Sequence, residues 1–332
     1  HDASPTATRK WKNELMTPDA AQMWMKRQPW IRDRDKPCLS LGERGDFDDM
    51  HMFAPCVAFE DGLFRMWYCG ATGDVAGRVF KVGLATSADG VHFSRHSSSP
   101  VLSFADDRRS VLTATLLRSP DGSVLREGGE LRMWFSACDF PSGNGLHTLH
   151  QSSSTDGVAW SIPSEPLLEH VYAPTVIREP DSYRMWYIDV QAEPWSVRHA
   201  TSTDGCNWQV SDDPVLEVDE DWEHQRLFYP TVLRCDGLYL MWYGSYSAHA
   251  PDEMKTALGF AVSEDGLKWQ KHPENPVFGP EPANDWESHY TTSQSVIKLP
   301  DGSWRIWYAA RQKPPFVHKY FAIGTARMAG PR

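Results

Sequence analysis

The feature that most constrains the fold of this chain is a five-fold internal repeat. An aliphatic residue followed by two aromatic residues recurs along the sequence, with tryptophan in the middle each time. The five tryptophans are Trp67, Trp134, Trp186, Trp242 and Trp307. Their mean spacing is 60 residues. A repeat of this length indicates similar small units that bury their apolar faces against one another.

Each repeat is predicted to contain four short antiparallel strands. An apolar segment precedes the aromatic motif, and turns such as Asp61-Gly62 and Asp301-Gly302 separate the two. A third segment ends in another Asp-Gly turn in most repeats, and a Pro-apolar-apolar strand follows it. Asp-Gly between β-rich segments is typical of hairpins. Since four-stranded units repeated around an axis form a β-propeller, the sequence predicts an all-β, five-bladed propeller.

The two ends of the chain are predicted to complete the last blade. The fifth repeat lacks its own Pro-apolar-apolar strand, and one such segment, at residues 37–39, precedes the first repeat. Pairing residues 37–41 with the last blade would remove exposed strand edges and close the ring. We therefore expect a single domain, with the propeller at residues 37–327 and an N-terminal extension with a short helix at residues 1–36.

Composition makes several classes of protein improbable. The 332 residues include 33 Lys and Arg against 44 Asp and Glu, a net charge of −11, so no nucleic-acid or anionic-membrane partner is expected. No apolar run approaches the ~18 residues of a membrane-spanning helix. The six cysteines form no CxxC pair, which disfavours a zinc knuckle or a thioredoxin-type site. We expect a soluble protein, cytoplasmic or exported after removal of a leader, and leave its oligomeric state open.

A binding site is expected where the first strand of each repeat begins. In a propeller these strands line the central channel, and their starts open on one face. The preceding residues are dense in carboxylates, arginines and histidines, with aromatic residues interleaved, which suits a hydroxyl-rich ligand such as a carbohydrate. The predicted substrate-binding residues are His51, His170, Asp189, His224, Arg226, Tyr229, His289, Tyr290 and Arg311.

The repeat pattern resembles that of the five-bladed propeller glycosidases. It runs Pro-x-Val, Asp-Gly, Met-Trp-Tyr, Ala-Thr-Ser-x-Asp-Gly-x-x-Trp and Pro-Val-Leu, and covers about residues 37–327. The pattern is similar to the arabinanase/β-xylosidase and invertase/levansucrase groups and to the mannoside-phosphorylase relatives. This resemblance implies a glycoside hydrolase that cleaves a terminal glycosidic bond at the channel mouth. By blade order it implies catalytic roles for Asp49 (or Asp48), Asp107 and Glu169.

Glycoside hydrolysis requires two carboxyl groups with different roles. One protonates the leaving oxygen, and the other activates water or attacks the sugar. We expect Glu169 to be the acid, because Leu168 and Val171 would desolvate it and favour its protonated form. Asp49 is expected to be the base or nucleophile, and Asp107 to orient the sugar or tune the acid.

Asp48 has a structural interpretation that competes with catalysis. The acidic-aromatic-acidic motif that ends at Asp48 recurs in two later repeats, where it ends at Glu223 and Glu287. A feature repeated in three blades favours a role in the turn before the inner strand, so Asp49 is preferred for catalysis. The chain differs from the families that it resembles at the residue directly before the proline of the first blade. Those families often carry Asp there, whereas this chain has Ala54.

The histidines and arginines at the mouth leave other chemistry open. No cofactor is required, but the four histidines near the channel would also suit a divalent metal, or one of them would act as acid or base. Contact with sugar hydroxyls is the favoured interpretation. Several arginines at one mouth suit phosphate in a glycoside phosphorylase, or an acidic or sulfated sugar. A non-catalytic carbohydrate-binding propeller is the remaining alternative.

Overall fold

Five antiparallel units, each of four strands, follow one another along the chain, one for each sequence repeat. The computed structural model describes residues 19–246, 255–313 and 322–331. The first half of the predicted N-terminal extension, residues 1–18, therefore lies outside the described residues. Units 4 and 5 are joined into one larger sheet by a single parallel bridge between Thr256 and Tyr290.

The elements have the following bounds. Before the first unit come the helix α1 Asp19–Trp24 and the strands β1 Ile31–Arg32 and β2 Leu39–Ser40. Unit 1 comprises β3 His51–Glu60, β4 Leu63–Ala71, β5 Lys81–Ser87 and β6 Ser94–Arg95. Unit 2 comprises β7 Ser110–Leu116, β8 Leu131–Cys138, β9 His147–Ser154 and β10 Leu168–Glu169. Unit 3 comprises β11 Val171–Arg178, β12 Tyr183–Asp189, β13 Ser196–Ser202 and β14 Gln209–Val210.

The last two units are bounded in the same way. Unit 4 comprises β15 His224–Cys235, β16 Leu238–Tyr246, β17 Thr256–Ser263 and β18 Gln270–Lys271. Unit 5 comprises β19 Tyr290–Lys298, β20 Trp304–Arg311 and β21 Ala322–Met328, with β2 as its fourth strand. Two short 3-10 helices lie in connections, at Phe140–Ser142 and Asp285–Glu287.

The strand pairing predicted for the two ends of the chain is present. Leu39 lies opposite Ile323 and Ser40 opposite Ala322, antiparallel. The Cys38 N–H donates to the Ile323 carbonyl at 2.8 Å. Strand β1 pairs with the other half of β21. Unit 5 therefore takes its outer strand from the N-terminal part of the chain.

Every first strand bends at the same point. The register against the second strand shifts there, and the residue at the shift has a φ between +44° and +53°. The five residues are Ala54, Thr113, Ala173, Tyr229 and Ser293. A left-handed backbone at a non-glycine residue costs about 1–3 kcal/mol and persists only where its surroundings hold it. Here each first strand contacts the first strand of the next unit, and β19 contacts β3.

A hydrogen bond from a buried tryptophan joins successive units. In four units the indole Nε1–H of the second-strand tryptophan donates to the glycine carbonyl of an Asp-Gly turn in the next unit. The pairs are Trp67 to Gly157 at 2.9 Å, Trp134 to Gly205 at 2.7 Å, Trp186 to Gly266 at 2.8 Å and Trp307 to Gly90 at 2.8 Å. All four indoles are completely buried, so these bonds are protected from water.

The N-terminal helix fills the junction between units 4 and 5. The strand β21 is not followed by an Asp-Gly turn, so Trp242 has no such glycine carbonyl to meet. Trp242 instead packs against Trp24 of α1 and Trp30, at 6.2 and 6.4 Å between ring centroids. Trp24 also contacts Trp304 of unit 5 at 5.2 Å. Aromatic packing thus replaces the hydrogen bond at this one junction.

We expect Trp24→Ala to lower the free energy of unfolding by about 3 kcal/mol, because it removes a large aromatic side chain from the packing between two units. Ile31→Ala is the control, since Ile31 lies in the same segment but is 70% exposed. Urea denaturation followed by tryptophan fluorescence measures both. Equal stability of the two variants would contradict the role assigned to α1.

Candidate functional site

A cavity of about 220 Å³ opens at the edge of the units where the first strands begin. In an antiparallel unit, the start of the first strand, the end of the second and the start of the third meet at one edge. Residues at all three of these positions line the cavity. They belong to units 1 to 4 and to the connections within those units. The lining residues are Phe53, Arg78, Phe80, Leu112, Phe140, His147, Tyr172, Trp195, Arg226, Phe228, Tyr229, Tyr246 and Thr256.

The cavity wall is built mainly from aromatic side chains. The hydroxyl oxygens of Tyr172 and Tyr229 lie 2.7 Å apart and share a hydrogen bond between units 3 and 4. The ring of Trp195 lies 6.0 Å from that of Tyr172, and the ring of Phe53 lies 6.3 Å from that of Tyr229. Aromatic faces next to hydroxyl groups match a sugar ring, which has an apolar C–H face and a polar edge.

His147 adds a hydrogen-bond acceptor to the lining. Its Nδ1 lies 2.9 Å from the carbonyl oxygen of Gly145. A carbonyl only accepts, so Nδ1 carries the hydrogen and Nε2 carries the lone pair. Burial lowers the pKa of His147 below its ordinary value, which keeps the ring neutral at pH 7. Packing against Tyr172 and Phe140, at 5.0 and 6.2 Å between centroids, fixes the ring.

Two arginines bring the charge of the lining. The guanidinium of Arg226 lies 4.0 Å from the ring centroid of Trp195 and forms an ion pair with Glu193. The guanidinium of Arg78 lies 4.4 Å from the ring centroid of Phe140. None of the described lining residues is Asp or Glu. The cavity is therefore aromatic and cationic.

The predicted base Asp49 lies in the turn before β3, outside the cavity lining. Burial opposes its ionisation, but hydrogen bonds from the side chain of Thr72 and the backbone N–H of Gly45 outweigh it, and the pKa of Asp49 is lowered. The Gly45 N–H donates to Oδ2 at 2.9 Å. Asp107 lies before the first strand of unit 2, at the position that corresponds to Asp48, where it is exposed and forms an ion pair with Lys81 at 2.8 Å.

The structure corrects the expected surroundings of Glu169. This residue lies in β10, the outer strand of unit 2, opposite Thr148, and its side chain is exposed. Leu168 and Val171 therefore do not desolvate it as the sequence predicted. The reason is that the chain passes from β10 into β11 through one residue, His170, whose φ is +63°. The outer strand thus extends up to the start of the next inner strand.

Asp48 and its two repeats form buried groups of one carboxylate, one tyrosine and one cation. The Tyr68 hydroxyl donates to Asp48 Oδ2 at 2.8 Å, and Arg95 forms an ion pair with the same oxygen at 2.8 Å. The three groups are Asp48–Tyr68–Arg95, Glu223–Tyr243–Lys271 and Glu287–Tyr308–Arg32. This repetition supports the structural interpretation of Asp48.

Two of the nine predicted substrate-binding residues, Arg226 and Tyr229, line the cavity. His51 is completely buried, and its Nε2 donates to the Gly73 carbonyl at 3.0 Å. Asp189 forms an ion pair with Arg198 at 2.6 Å. Sequence reasoning foresaw neither of these two contacts.

The other predicted binding residues lie around the same edge of the units but outside the cavity lining. Arg311 stacks on Tyr290 at 3.9 Å between the guanidinium and the ring centroid, and both are buried. His289 is buried beside them, and burial lowers its pKa. His170 links two strands, and His224 begins β15. Within the described part of the chain, no group of three or more His, Cys, Asp or Glu is arranged to hold a metal ion.

Sequence reasoning missed six lining residues that lie after second strands or at the start of third strands: Arg78, Phe80, Phe140, His147, Trp195 and Thr256. The alignment of the repeats used mainly the residues before the first strands. The connections between second and third strands differ in length and composition from unit to unit, so no repeated signal identifies them.

We expect Asp48→Asn to lower the free energy of unfolding by about 2 kcal/mol, because Arg95 would keep its charge in a mostly buried position without a counter-charge. Asp107→Asn breaks an exposed ion pair and is expected to cost less than about 1 kcal/mol. Chemical denaturation of both variants measures the difference. An Asp48→Asn variant with the same free energy of unfolding as the unaltered protein would contradict the structural role of Asp48.

No family model matches the chain. Two similar relatives, the uncharacterized proteins MT1551 and Rv1502 of Mycobacterium tuberculosis, are each 28% identical over 245 residues, which covers 69% of this chain and 77% of each relative.

Within the described residues, no helix has the length and apolar character needed to cross a membrane.

Solved structures similar to this chain include several glycoside hydrolases. One described as a glycoside hydrolase has a TM-score of 0.75 at 17% identity, covering 96% of this chain and 97% of its own. A complex of BT0996 with RGII has a TM-score of 0.74 at 17% identity, with coverages of 92% and 93%. A structure from the GH130 family of mannoside phosphorylases, described as containing glycoside hydrolases that target β-1,2 mannosidic linkages, has a TM-score of 0.69 at 15% identity, with coverages of 94% and 95%. The chain has the fold of these glycoside hydrolases, which confirms the predicted resemblance at the level of the fold.

Proposed function

We propose that this protein binds the terminal sugar of a glycoside in the aromatic cavity and hydrolyses its glycosidic bond. The observation that carries the proposal is the cavity itself, in which the paired hydroxyls of Tyr172 and Tyr229 lie between the aromatic faces of Phe53 and Trp195. The shared fold with glycoside hydrolases supports cleavage as well as binding.

We further propose that the five units form a closed, five-bladed propeller. Contacts between successive first strands support this, as do the bond from Trp307 to Gly90 and the pairing of β2 with β21. A closed ring would make the mouth a pocket rather than a groove. A pocket favours a terminal sugar over the middle of a long chain.

The proposed catalytic residues are Asp49 as base or nucleophile, Asp107 as the residue that orients the sugar, and Glu169 as acid. The lowered pKa of Asp49 suits a group that must be ionised at neutral pH. All three lie at the same edge of their units as the cavity, but beyond its lining. The scissile bond would then lie at the edge of the cavity, and the bound substrate would have to cover Glu169 for it to act as an acid.

We expect Trp195→Ala to weaken sugar binding by at least tenfold, because it removes an aromatic face of the cavity. Trp208→Ala, which alters a tryptophan outside the lining, is the control and is expected to leave affinity unchanged. Calorimetric titration with the best ligand from a panel of glycosides measures both. Equal affinity in the Trp195 variant and the unaltered protein would remove the cavity from the proposal.

We expect Asp49→Asn and Glu169→Gln each to lower kcat/KM by at least ~100-fold, since each removes an acid-base group. The matched controls are Asp106→Asn and Glu165→Gln, which alter nearby acidic residues outside the proposed set. Aryl glycosides and oligosaccharides with product analysis provide the assay. Unchanged turnover in both test variants would eliminate these two residues as catalytic groups.

A non-catalytic carbohydrate-binding role is the second candidate. The lack of Asp and Glu among the described lining residues favours it, because hydrolysis needs two carboxyl groups at the bond. Tight sugar binding without turnover across the panel would select this role. Turnover that requires phosphate and yields a sugar phosphate would instead identify a phosphorylase.

A further inference from the structure

We propose that the sugar bound in this cavity carries a carboxylate, as in a uronic acid, and that Arg78 and Arg226 bind that carboxylate. This inference rests on the proposed function and names the substrate class for the same cavity. Neither the fold nor the repeat pattern specifies the charge of the ligand. The argument depends on which charges line the cavity and which of them lack a counter-charge.

The charge of the cavity is opposite to that of the chain. The protein carries a net charge of −11, with acidic residues clearly in excess. The described lining nevertheless contains two arginines and no acidic residue. A general excess of basic residues does not explain this, so the lining favours an anionic group in the ligand.

Arg78 has no acidic partner among the described residues. It donates to the Val75 carbonyl, and its guanidinium lies 4.4 Å from the ring centroid of Phe140 and 5.8 Å from that of Phe80. Its Nε atom is buried and has no hydrogen-bond acceptor within the described part of the protein. A half-buried cation without a counter-charge is costly, and an oxyanion of the ligand would supply the missing charge.

Most of the other arginines that stack on aromatic rings have an acidic partner, and Arg184, which has none among the described residues, donates instead to His199 Nε2 and the Tyr239 hydroxyl. Arg65 stacks on Trp67 and forms an ion pair with Glu60 at 2.9 Å. Arg109 lies 4.1 Å from the ring centroid of Phe104 and forms an ion pair with Asp106 at 2.6 Å. Stacking on an aromatic ring therefore does not by itself explain why Arg78 has no acidic partner among the described residues.

Arg226 provides a second group for the same anion. Its Nη2 is taken by Glu193, whose side chain is 52% exposed, while its Nε is buried without a described acceptor. A guanidinium has five donor hydrogens, so one ion pair leaves donors for a ligand. An exposed carboxylate such as Glu193 is also readily displaced or shared when a ligand carboxylate enters.

The aromatic wall indicates that the anion belongs to a sugar and is not free phosphate. Phosphate is polar on every side and has no apolar face to place against the rings of Phe53, Tyr172 and Trp195. A sugar acid presents a carboxylate to the arginines and an apolar ring face to the aromatic side chains. It therefore satisfies both features of the cavity.

Titration of the full chain at pH 7 with charged sugars and neutral isosteres tests the inference. The probes are D-glucuronic and D-galacturonic acid, their neutral amides, and inorganic phosphate. We expect at least one acid to bind at least ~10-fold more tightly than its amide, which has the same shape without the charge. Arg78→Met should abolish this preference while changing the affinity for the amide by less than about twofold.

Arg109→Met is the matched control, because it removes an arginine that is stacked on a ring outside the cavity. It is expected to preserve the preference for the acid. Equal binding of acids and amides would overturn the inference and leave the proposed function intact. So would a preference for the acid that survives Arg78→Met. Phosphate that is consumed during turnover would overturn both the inference and the proposed hydrolysis, since the reaction would then be a phosphorolysis. Failure of every charged and neutral sugar to bind would overturn the proposed function itself.

Discussion

The hydrogen bond from a buried tryptophan to a glycine carbonyl in the next unit is the contact on which the rest of this structure depends. Each glycine in these pairs has a φ near +75° and approaches the indole so closely that an added Cβ would lie 2.8–3.2 Å from a ring carbon. At Gly157 and Gly266 an added Cβ would lie 2.8 Å from the indole. Glycine is therefore required both for the turn and for the contact. The tryptophan and the Asp-Gly turn are two halves of one interface between units.

This interface determines where the site forms. Because the units are held in sequence order, their first strands meet and bend at the five left-handed residues. The starts of four of those strands, in units 1 to 4, together with the connections beside them, then line the cavity described above. The cost of the five strained residues is met by contacts between strands, such as the bond from the Ala54 N–H to Ser293 Oγ at 3.0 Å.

The sequence was sufficient to predict the strands, the turns and the pairing of residues 37–41, because each depends on a repeated local pattern. It was insufficient for Glu169, whose position depends on the length of one connection. A single residue between β10 and β11 leaves it on an outer strand, and spacing alone does not reveal this. It was also insufficient for Arg78 and Trp195, since the connections that carry them are not repeated.

One distinction between carboxylates was available from the sequence. In units 1, 4 and 5 the acidic residue before the first strand is accompanied by tyrosine in the second-strand motif, and the two are hydrogen-bonded. Unit 2 has Phe135 in place of the tyrosine, and its acidic residue, Asp107, is exposed. Asp107 therefore does not take part in a buried group of carboxylate, tyrosine and cation like that of Asp48. This makes Asp107 a better candidate for a functional residue than Asp48.

Residues that repeat from unit to unit stabilise the fold, whereas residues that occur only once line the cavity. The tryptophans, glycines and buried carboxylate groups recur from unit to unit and hold the units together. Arg78, His147 and Trp195 lie in or next to connections that occur once each, and they line the cavity. Substitutions there change the charge and shape that a ligand meets without touching the contacts between units. The charge of the cavity is therefore free to differ from that of the chain, because the residues that set it take no part in the contacts that hold the units together.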